Sequence, residues 1–122
     1  MKVLVVDDDP AARDFTCDVL MGGGFNVSEA EDGSAALAKV AQSIPDCIVL
    51  DLVMPGLSGF DTLREMRKVH AKMPPVVVLT TMDGGGTKVY ATKVNKADAF
   101  VTKSEMLDPQ NGLLAQVRRL TV

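Results

Sequence analysis

Polar side chains that could take part in chemistry directly follow four short apolar runs of this sequence. Clustered carboxylates bind hard divalent cations such as Mg²⁺, which prefer oxygen ligands and often share them with phosphate oxygens. A threonine hydroxyl and a lysine ammonium beside them could contact the same phosphate. An aspartate can also be the nucleophile and form an aspartyl-phosphate, so these residue types suit phosphoryl transfer. In chain order, the residues are Asp7, Asp8, Asp9, Asp51, Thr80, Thr81 and Lys103.

The elements that position these residues are five apolar runs separated by helix-length segments. Three of the runs are continuous and rich in Val, Ile and Leu, which is typical of parallel strands buried on both faces. The second run is more polar, as expected of an edge strand. Alternating strands and helices with right-handed crossovers predict a flavodoxin-like (βα)5 three-layer sandwich, a parallel five-stranded sheet of order 2-1-3-4-5 in one domain over residues 1–122. The predicted strands are 3–6, 26–30, 47–50, 76–79 and 99–102.

Helical periodicity and end signals predict the intervening helices. The first is expected to be capped by Asp9, to end at the glycines of 22–24, and to direct Ala12, Phe15 and Val19 inward. The last is expected to open at Asp108-Pro109 and to carry Leu113, Val117 and Leu120 on one face. The second is expected to bury Leu37, Val40, Ala41 and Ile44. The predicted helices are 10–21, 34–43, 59–71, 87–96 and the segment from 109 onward.

In such a sheet the carboxyl ends of the strands lie along one edge, and ligands bind at the switch point between the first and third strands. An aspartate after a strand is often only a helix cap, as expected for Asp9 before Pro10. Joint placement of carboxylates, a hydroxyl and an amine at four strand ends is not explained by capping. Carboxylates that meet at one edge repel one another unless a cation lies between them. The sequence therefore predicts a Mg²⁺ site at this edge.

Composition excludes several other classes of function. The formal charge is -3, and the 13 basic residues are scattered rather than gathered in a stripe, which argues against direct nucleic-acid binding. No apolar run approaches the roughly 18 residues of a membrane span. Cys17 and Cys47 lie in apolar or helical patterns and are expected to be small buried hydrophobes in a reducing compartment. These features predict a cytoplasmic protein that contacts neither membrane nor nucleic acid.

Five motifs resemble those of response-regulator receiver domains, which belong to two-component signalling. VLVVDD at 3–8 resembles the first strand with its acidic pair, and VLDLVMPGLSG at 49–59 resembles the segment around the phosphorylated aspartate. EAEDG at 29–33 is similar to the exit of the second strand. VLTT at 78–81 and FVTK at 100–103 resemble the fourth and fifth strands. The motifs occur in order and cover the whole chain, so it is identified as a member of that CheY-like family.

The resemblance implies a role for each matching residue. A histidine-phosphorylated sensor kinase would be the phosphodonor, and a downstream protein effector or a fused output domain would respond. The chain would be a signalling domain rather than a classical enzyme, although it would assist its own phosphorylation and the hydrolysis of its aspartyl phosphate. The implied residues are Asp51 as phosphoryl acceptor, Asp7, Asp8, Asp51 and the backbone carbonyl of Val53 as Mg²⁺ ligands, Thr80 and Lys103 as phosphoryl contacts, and Phe100 as the switch aromatic.

Three departures from the family pattern fall on the face that the resemblance assigns to partner binding, namely the fourth helix, fifth strand and fifth helix. Ser104 follows the lysine where the family usually has proline, so the loop after Lys103 is expected to differ. Lys96 stands where glycine is frequent, and a glycine run occupies 84–86. We therefore expect intact phosphorylation chemistry with an unusual output face.

Two other functions compete with this interpretation. The D-x-D pattern of residues 7–9 also occurs in haloacid-dehalogenase-type phosphatases, where an aspartate is the nucleophile. That family needs an acidic pair after its fourth strand, where this chain has Thr80 and Thr81, and it leaves Asp51 without a role. A pseudo-receiver would act as a docking module without phosphorylation. Such modules usually lose an acidic or lysine position, whereas this chain keeps them all.

Overall fold

The computed structural model describes residues 1–52, 59–69, 72–81 and 97–121. Its five strands form one parallel sheet in the order β2-β1-β3-β4-β5, which confirms the predicted topology. The strand order changes direction between β1 and β3, so their carboxyl ends flank the switch point. The strands are β1 (Lys2–Val6), β2 (Asn26–Ala30), β3 (Cys47–Leu50), β4 (Val76–Thr80) and β5 (Ala99–Thr102).

The central strands are continuous apolar runs because helices cover both faces of the sheet. Every residue of β3 and β4 is buried, and β1 is buried after Lys2. The edge strand β2 is mostly exposed, as its polar sequence predicts. The predicted strand bounds agree with the structure to within one residue at each end. Burial on both faces therefore made the central strands easy to predict, and the bounds of the exposed β2 were predicted equally well.

Two helices pack on each face of the sheet in the described part of the chain. One core joins Val3 and Val5 of β1 to Cys17 and Leu20 of the first helix, and it also includes residues of the last helix. The opposite core joins Leu4 and Val6 of β1 to residues of the second and third helices. The sheet is therefore the middle of three layers. The helices are α1 (Pro10–Gly22), α2 (Gly33–Gln42), α3 (Gly59–Val69) and α4 (Leu113–Thr121), and a 3₁₀ turn covers Lys103–Glu105.

The ends of α1 follow the predicted signals. The Asp9 side chain accepts a hydrogen bond from the Ala11 backbone N–H at 3.2 Å, which confirms that Asp9 caps the helix. Gly23 closes the other end, and Gly24 follows with φ of 94°, a conformation that glycine adopts without steric cost. Asp32 caps α2 in the same way through the Ala35 N–H at 2.7 Å. These caps fix where the chain leaves β1 and β2.

The inward faces predicted for the first two helices are partly wrong. Phe15 is 49% exposed, and α1 buries Thr16, Cys17 and Leu20 instead. Thr16 can be buried because its hydroxyl donates to the Ala12 carbonyl of its own helix at 2.9 Å.

The predicted inward face of α2 also differs from the observed one. The buried residues are Gly33, Ala36 and Val40, whereas Leu37 is partly buried and Ala41 is exposed. Ile44 follows the end of the helix and is 55% exposed. Helical spacing gives a period, but small or internally bonded residues can occupy the closest contact with the sheet.

The last helix begins later than predicted. It starts at Leu113 because residues 109–111 form a turn, in which the Asp108 side chain accepts from the Gln110 N–H at 2.9 Å. The Gly112 and Leu113 N–H groups then donate to the carbonyls of Asp108 and Met106, each at 2.8 Å. A Cβ at Gly112 would lie 2.4 Å from the Asp108 carbonyl oxygen, so only glycine fits this turn. The predicted helix over residues 87–96 and the predicted end of α3 at 70–71 lie outside the described residues.

Candidate functional site

Three carboxylates converge where β1 and β3 end. Carboxylate oxygens of Asp7, Asp8 and Asp51 lie within 4.8 Å of one another. Asp7 and Asp51 are buried, whereas Asp8 is exposed. The Asp51 N–H donates to the Val6 carbonyl at 3.0 Å, so strand pairing continues to the end of β3 and places Asp51 beside the acidic pair. The structure thus brings together the three aspartates that the sequence placed at this edge.

Lys103 lies between the two buried carboxylates. Its Nζ is 2.9 Å from Asp7 Oδ2 and 3.8 Å from Asp51 Oδ2, and its side chain is 21% exposed. Burial by itself would lower the pKa of Lys103, but the hydrogen bond to Asp7 and the charge of Asp51 outweigh it, so the pKa is raised above the ordinary value. Lys103 is therefore a permanent cation at neutral pH. Three carboxylates and one ammonium leave this edge with surplus negative charge.

The polar groups of Asp7 are all engaged. Its N–H donates to the Ala30 carbonyl at 3.2 Å, and its Oδ1 accepts from the Asp9 N–H at 3.0 Å. Its carbonyl accepts from Arg13 Nη1 at 2.9 Å, and Arg13 Nε donates to Glu29 Oε1 at 3.0 Å. Sequence reasoning missed Arg13 and Glu29. The available signal was a basic residue one turn into the helix after the acidic pair, facing an acidic residue near the end of the neighbouring strand.

Thr80 and Phe100 occupy neighbouring strands on the same side of the sheet. Thr80 ends β4, is fully buried and is the Cα partner of Thr102. Phe100 pairs with Val78 two residues earlier and packs, partly buried, on Leu52, Val78 and Ala97. Because side chains alternate along a strand, Thr80 points to the side on which Phe100 packs. Thr81 is exposed and lies beyond the strand.

The first residue of α3 touches the backbone of the acceptor segment. The Gly59 N–H donates to the Leu52 carbonyl at 3.0 Å. A Cβ at Gly59 would lie 2.3 Å from the Asp51 carbonyl oxygen and 2.7 Å from Leu52 Cα, closer than any real contact. Glycine at this position therefore lets α3 start directly against Asp51.

The turn after Lys103 is held by a hydroxyl rather than by proline. The Thr102 hydroxyl donates to Glu105 Oε1 at 2.5 Å and lies 3.1 Å from Ser104 Oγ. Within the described residues every peptide bond is trans, including the one before Ser104. The polar contacts of Thr102 thus tie the 3₁₀ turn to the end of β5 and fix the backbone of Lys103.

The donor set fits a hard divalent cation. Its protein ligands would be carboxylate oxygens, which Mg²⁺ prefers, and both oxygens of Asp7 are already held by hydrogen bonds from the Asp9 N–H and from Lys103. A bound cation would neutralise the surplus negative charge at this edge of the sheet. Val53, whose carbonyl was predicted as a further ligand, lies outside the described residues.

Comparison with known proteins decides the family. The family model named response regulator receiver domain matches residues 3–114 of the sequence. This chain belongs to the receiver domain family. Response regulator MprA of Mycobacterium leprae (strain TN) is 37% identical over 120 residues, which are 98% of this chain and 50% of that protein. The chain thus spans about half the length of the curated relatives it matches.

Solved structures agree with this receiver assignment. Chemotaxis protein CheY4 of Vibrio cholerae is 32% identical with a TM-score of 0.84, and the match covers 98% of this chain and 97% of that one. Response regulator TrrA of Thermotoga maritima, solved in complex with Mg²⁺-BeF, is 30% identical with a TM-score of 0.81 over 98% and 97% of the two chains. Receiver domains are signalling domains of two-component systems rather than classical enzymes, and they bind Mg²⁺. This assignment favours the receiver over the phosphatase interpretation of residues 7–9.

None of the helices in the described ranges combines the length and apolar character that a membrane crossing requires.

Proposed function

We propose that residues 1–122 form one phospho-acceptor domain whose Asp51 takes a phosphoryl group from a sensor histidine kinase in a Mg²⁺-dependent reaction. The observation that carries this proposal is the convergence of Asp7, Asp8 and Asp51 within 4.8 Å, with Lys103 2.9 Å from Asp7 and 3.8 Å from Asp51. Membership of the receiver family supports it. A purely structural set of caps would not place two buried carboxylates at one ammonium with a third carboxylate beside them.

The chemical step is a transfer between two side chains. A carboxylate oxygen of Asp51 attacks the phosphorus of the kinase phosphohistidine, the P–O bond forms as the P–N bond breaks, and the electron pair returns to the imidazole nitrogen. The imidazole then takes up a proton from solvent. In the reverse direction of signalling, water attacks the same phosphorus, and Asp51 leaves as a carboxylate with release of inorganic phosphate. The chain would assist both reactions by holding charges in place.

Asp7, Asp8, Asp51 and the backbone carbonyl of Val53 would hold the Mg²⁺. When bound, the ion would neutralise charge on the phosphoryl oxygens and on the clustered carboxylates. Lys103 supplies a second positive charge at the same edge, already oriented by Asp7. Transfer of the phosphoryl group to Asp51 would let Lys103 exchange part of its contact with the carboxylates for a phosphoryl oxygen.

The response to phosphorylation would travel through Thr80 and Phe100. Thr80 would turn its hydroxyl to the phosphoryl group, and Phe100 would change rotamer in the space that Thr80 leaves. The face that the family resemblance assigns to partner binding, which includes β5 and α4, would then bind its target, either a separate protein effector or an output domain on a longer chain. We also propose a cytoplasmic location without direct contact to nucleic acid or membrane, in keeping with the scattered basic residues and the two buried free cysteines.

The test is intact-protein mass after incubation with acetyl phosphate, with and without Mg²⁺. We expect a single added phosphoryl group that requires Mg²⁺ and is absent in Asp51→Asn. Asp46→Asn is the matched control, because Asp46 and Asp51 flank the same strand at opposite ends. The control should be modified like the wild type.

The outcome separates the two remaining functions. Loss of modification in Asp51→Asn alone would establish a working receiver. A folded wild-type protein that takes no phosphoryl group from acetyl phosphate or from a phosphorylated histidine kinase would contradict the proposal. That result would favour the docking module instead.

A further inference from the structure

We propose that Arg13 is a positioning residue for the Mg²⁺ site, which sets the direction of Asp8 by holding the Asp7 carbonyl. The proposal rests on the function proposed above and deepens it. The Arg13 guanidinium reaches from α1 to two points on neighbouring strands, with Nη1 2.9 Å from the Asp7 carbonyl oxygen and Nε 3.0 Å from Glu29 Oε1. The planar fork lets one side chain make both bonds at once.

The Asp7 carbonyl matters because it belongs to the peptide unit that leads into Asp8. A peptide unit is planar, so fixing the carbonyl of Asp7 also fixes the N–H of Asp8 and the position of its Cα. Asp8 is exposed, and no hydrogen bond to its carboxylate is formed within the described residues. The direction of its side chain therefore depends on its backbone, which Arg13 holds on one side through the Asp7 carbonyl and the Asp7 side chain holds on the other through the Asp9 N–H.

Glu29 keeps the arginine in this orientation. Glu29 is the Cα partner of Val5, two residues before Asp7, and its side chain is 47% exposed. Arg13 is only 17% exposed, so its charge is partly withdrawn from water and directed by two acceptors. An exposed ion pair alone would contribute little to stability. The second bond, to a backbone carbonyl beside the acidic cluster, gives this pair a further role.

Loss of the Arg13 charge and loss of its positioning contacts predict opposite changes in Mg²⁺ affinity, so a binding measurement distinguishes the two effects. Removing a positive charge next to an acidic site should strengthen Mg²⁺ binding if electrostatics alone acts. Loss of a group that orients a ligand typically weakens metal binding by about 10-fold or more. We expect Arg13→Met to weaken Mg²⁺ binding about 10-fold. We expect Arg13→Lys to be weakened as well, because a lysine keeps the charge but not the fork.

The experiment measures the Mg²⁺ dissociation constant of the full chain by isothermal titration, using Mg²⁺ alone. Amide exchange of Asp9, whose N–H donates to Asp7 Oδ1, is measured in parallel without metal, and it should quicken severalfold in both variants. Arg64→Met is the matched control, because Arg64 forms an exposed ion pair with Asp61 on α3, away from these strands. The control should leave both quantities unchanged. Should Arg13→Met fail to fold, Arg13→Lys decides.

The results separate this inference from the proposed function. Unchanged or tighter Mg²⁺ binding in the variants, with unchanged amide exchange, would overturn the role of Arg13 even if Asp51 is phosphorylated. Weaker binding and faster exchange would support it even if the wild type accepts no phosphoryl group. If the wild type binds no Mg²⁺, amide exchange in the metal-free protein decides by itself.

Discussion

Aspartates occur at both ends of the sheet, but they are used in opposite ways. At the amino ends, Asp46 precedes β3 and Asp98 precedes β5, and each forms two bonds to the first residue of the neighbouring strand. Asp46 Oδ2 accepts from the Lys2 N–H and its own N–H donates to the Lys2 carbonyl, both at 2.8 Å. Asp98 forms the same two bonds with Val76, also at 2.8 Å.

At the carboxyl ends an aspartate can also accept a backbone hydrogen bond, as Asp7 Oδ1 does from the Asp9 N–H, but here the carboxylates lie beside one another. Asp7, Asp8 and Asp51 converge on one another, and Lys103 is the cation between the two buried members. Each amino-end aspartate is matched to a donor and stabilises the strand beside it, whereas the carboxyl-end group is left with excess charge. The contrast teaches that electrostatic surplus, rather than the presence of aspartates, distinguishes the end of the sheet that carries the candidate site.

Removal of Lys103 should produce the largest change in stability. Lys103→Met leaves three carboxylates together without a cation, and breaking a mostly buried pair should lower the free energy of unfolding by about 2–3 kcal/mol without Mg²⁺. Urea denaturation with and without Mg²⁺ measures this, and Mg²⁺ should restore part of the loss. Lys68→Met, which removes an exposed pair with Glu65, should cost below about 0.5 kcal/mol. Equal losses in the two variants would contradict the role of Lys103 as the cation between two buried carboxylates.

Removal of an amino-end carboxylate should be the next largest effect. Asp98→Ala leaves the Val76 N–H without its partly buried charged acceptor, which should lower the free energy of unfolding by about 1–2 kcal/mol. Asp46→Ala removes an exposed bond and should cost about 0.5–1 kcal/mol. Mg²⁺ should alter neither value in urea denaturation. A Mg²⁺-dependent loss in Asp98→Ala would show that the two ends are not independent.

Neutralising Asp51 should stabilise the metal-free protein rather than destabilise it. Asp51→Asn removes one of three like charges and keeps a side chain of the same shape, so the metal-free protein should gain on the order of 1 kcal/mol. The gain should vanish with Mg²⁺, which stabilises the wild type through the site. Thermal unfolding of both proteins in Mg²⁺ and in chelator measures the effect. A loss of stability in chelator would mean that Asp51 is used like Asp46.

The smallest expected effect is in the pH dependence of Lys103. Its pKa in the folded protein is raised above the ordinary 10.5, so the folded state holds this proton more tightly than the unfolded state. The resulting stabilisation is fully present below the ordinary value and is lost as pH rises through the folded pKa. The stability difference between wild type and Lys103→Met should therefore shrink above pH 10.5. A difference that stays constant through this range would show that Lys103 acts only through packing.

The strands were predictable from the sequence, whereas the inward face of α1 and the start of α4 were not. Strands covered on both faces are continuous apolar runs, so their bounds were correct within a residue. The face of α1 was not predictable, because Thr16 satisfies its hydroxyl internally and Phe15 is left outside. The start of α4 was missed because a turn at Asp108 and Gly112 replaced the expected proline-led first turn.

The site was predictable in its members but not in its support. Asp7, Asp8, Asp51 and Lys103 follow from strand order, because the topology carries the ends of β1, β3 and β5 to one edge. Arg13 and Glu29 depend on how α1 is rotated against β1 and β2, which periodicity alone did not define. The supporting side chains that reach the site from a neighbouring helix or strand are therefore the part that only the structure reveals.

The close approach of Gly59 to Asp51 limits which substitutions position 59 can accept. Any side chain at position 59 would have to displace the Asp51 carbonyl, 2.3 Å from where a Cβ would stand. In a library of all single substitutions scored for signalling, position 59 should therefore be as intolerant as position 51. A position that tolerates no substitution is usually interpreted as catalytic or ligand-binding. Gly59 would be intolerant for a different reason, because the absence of a side chain leaves space for the backbone of Asp51.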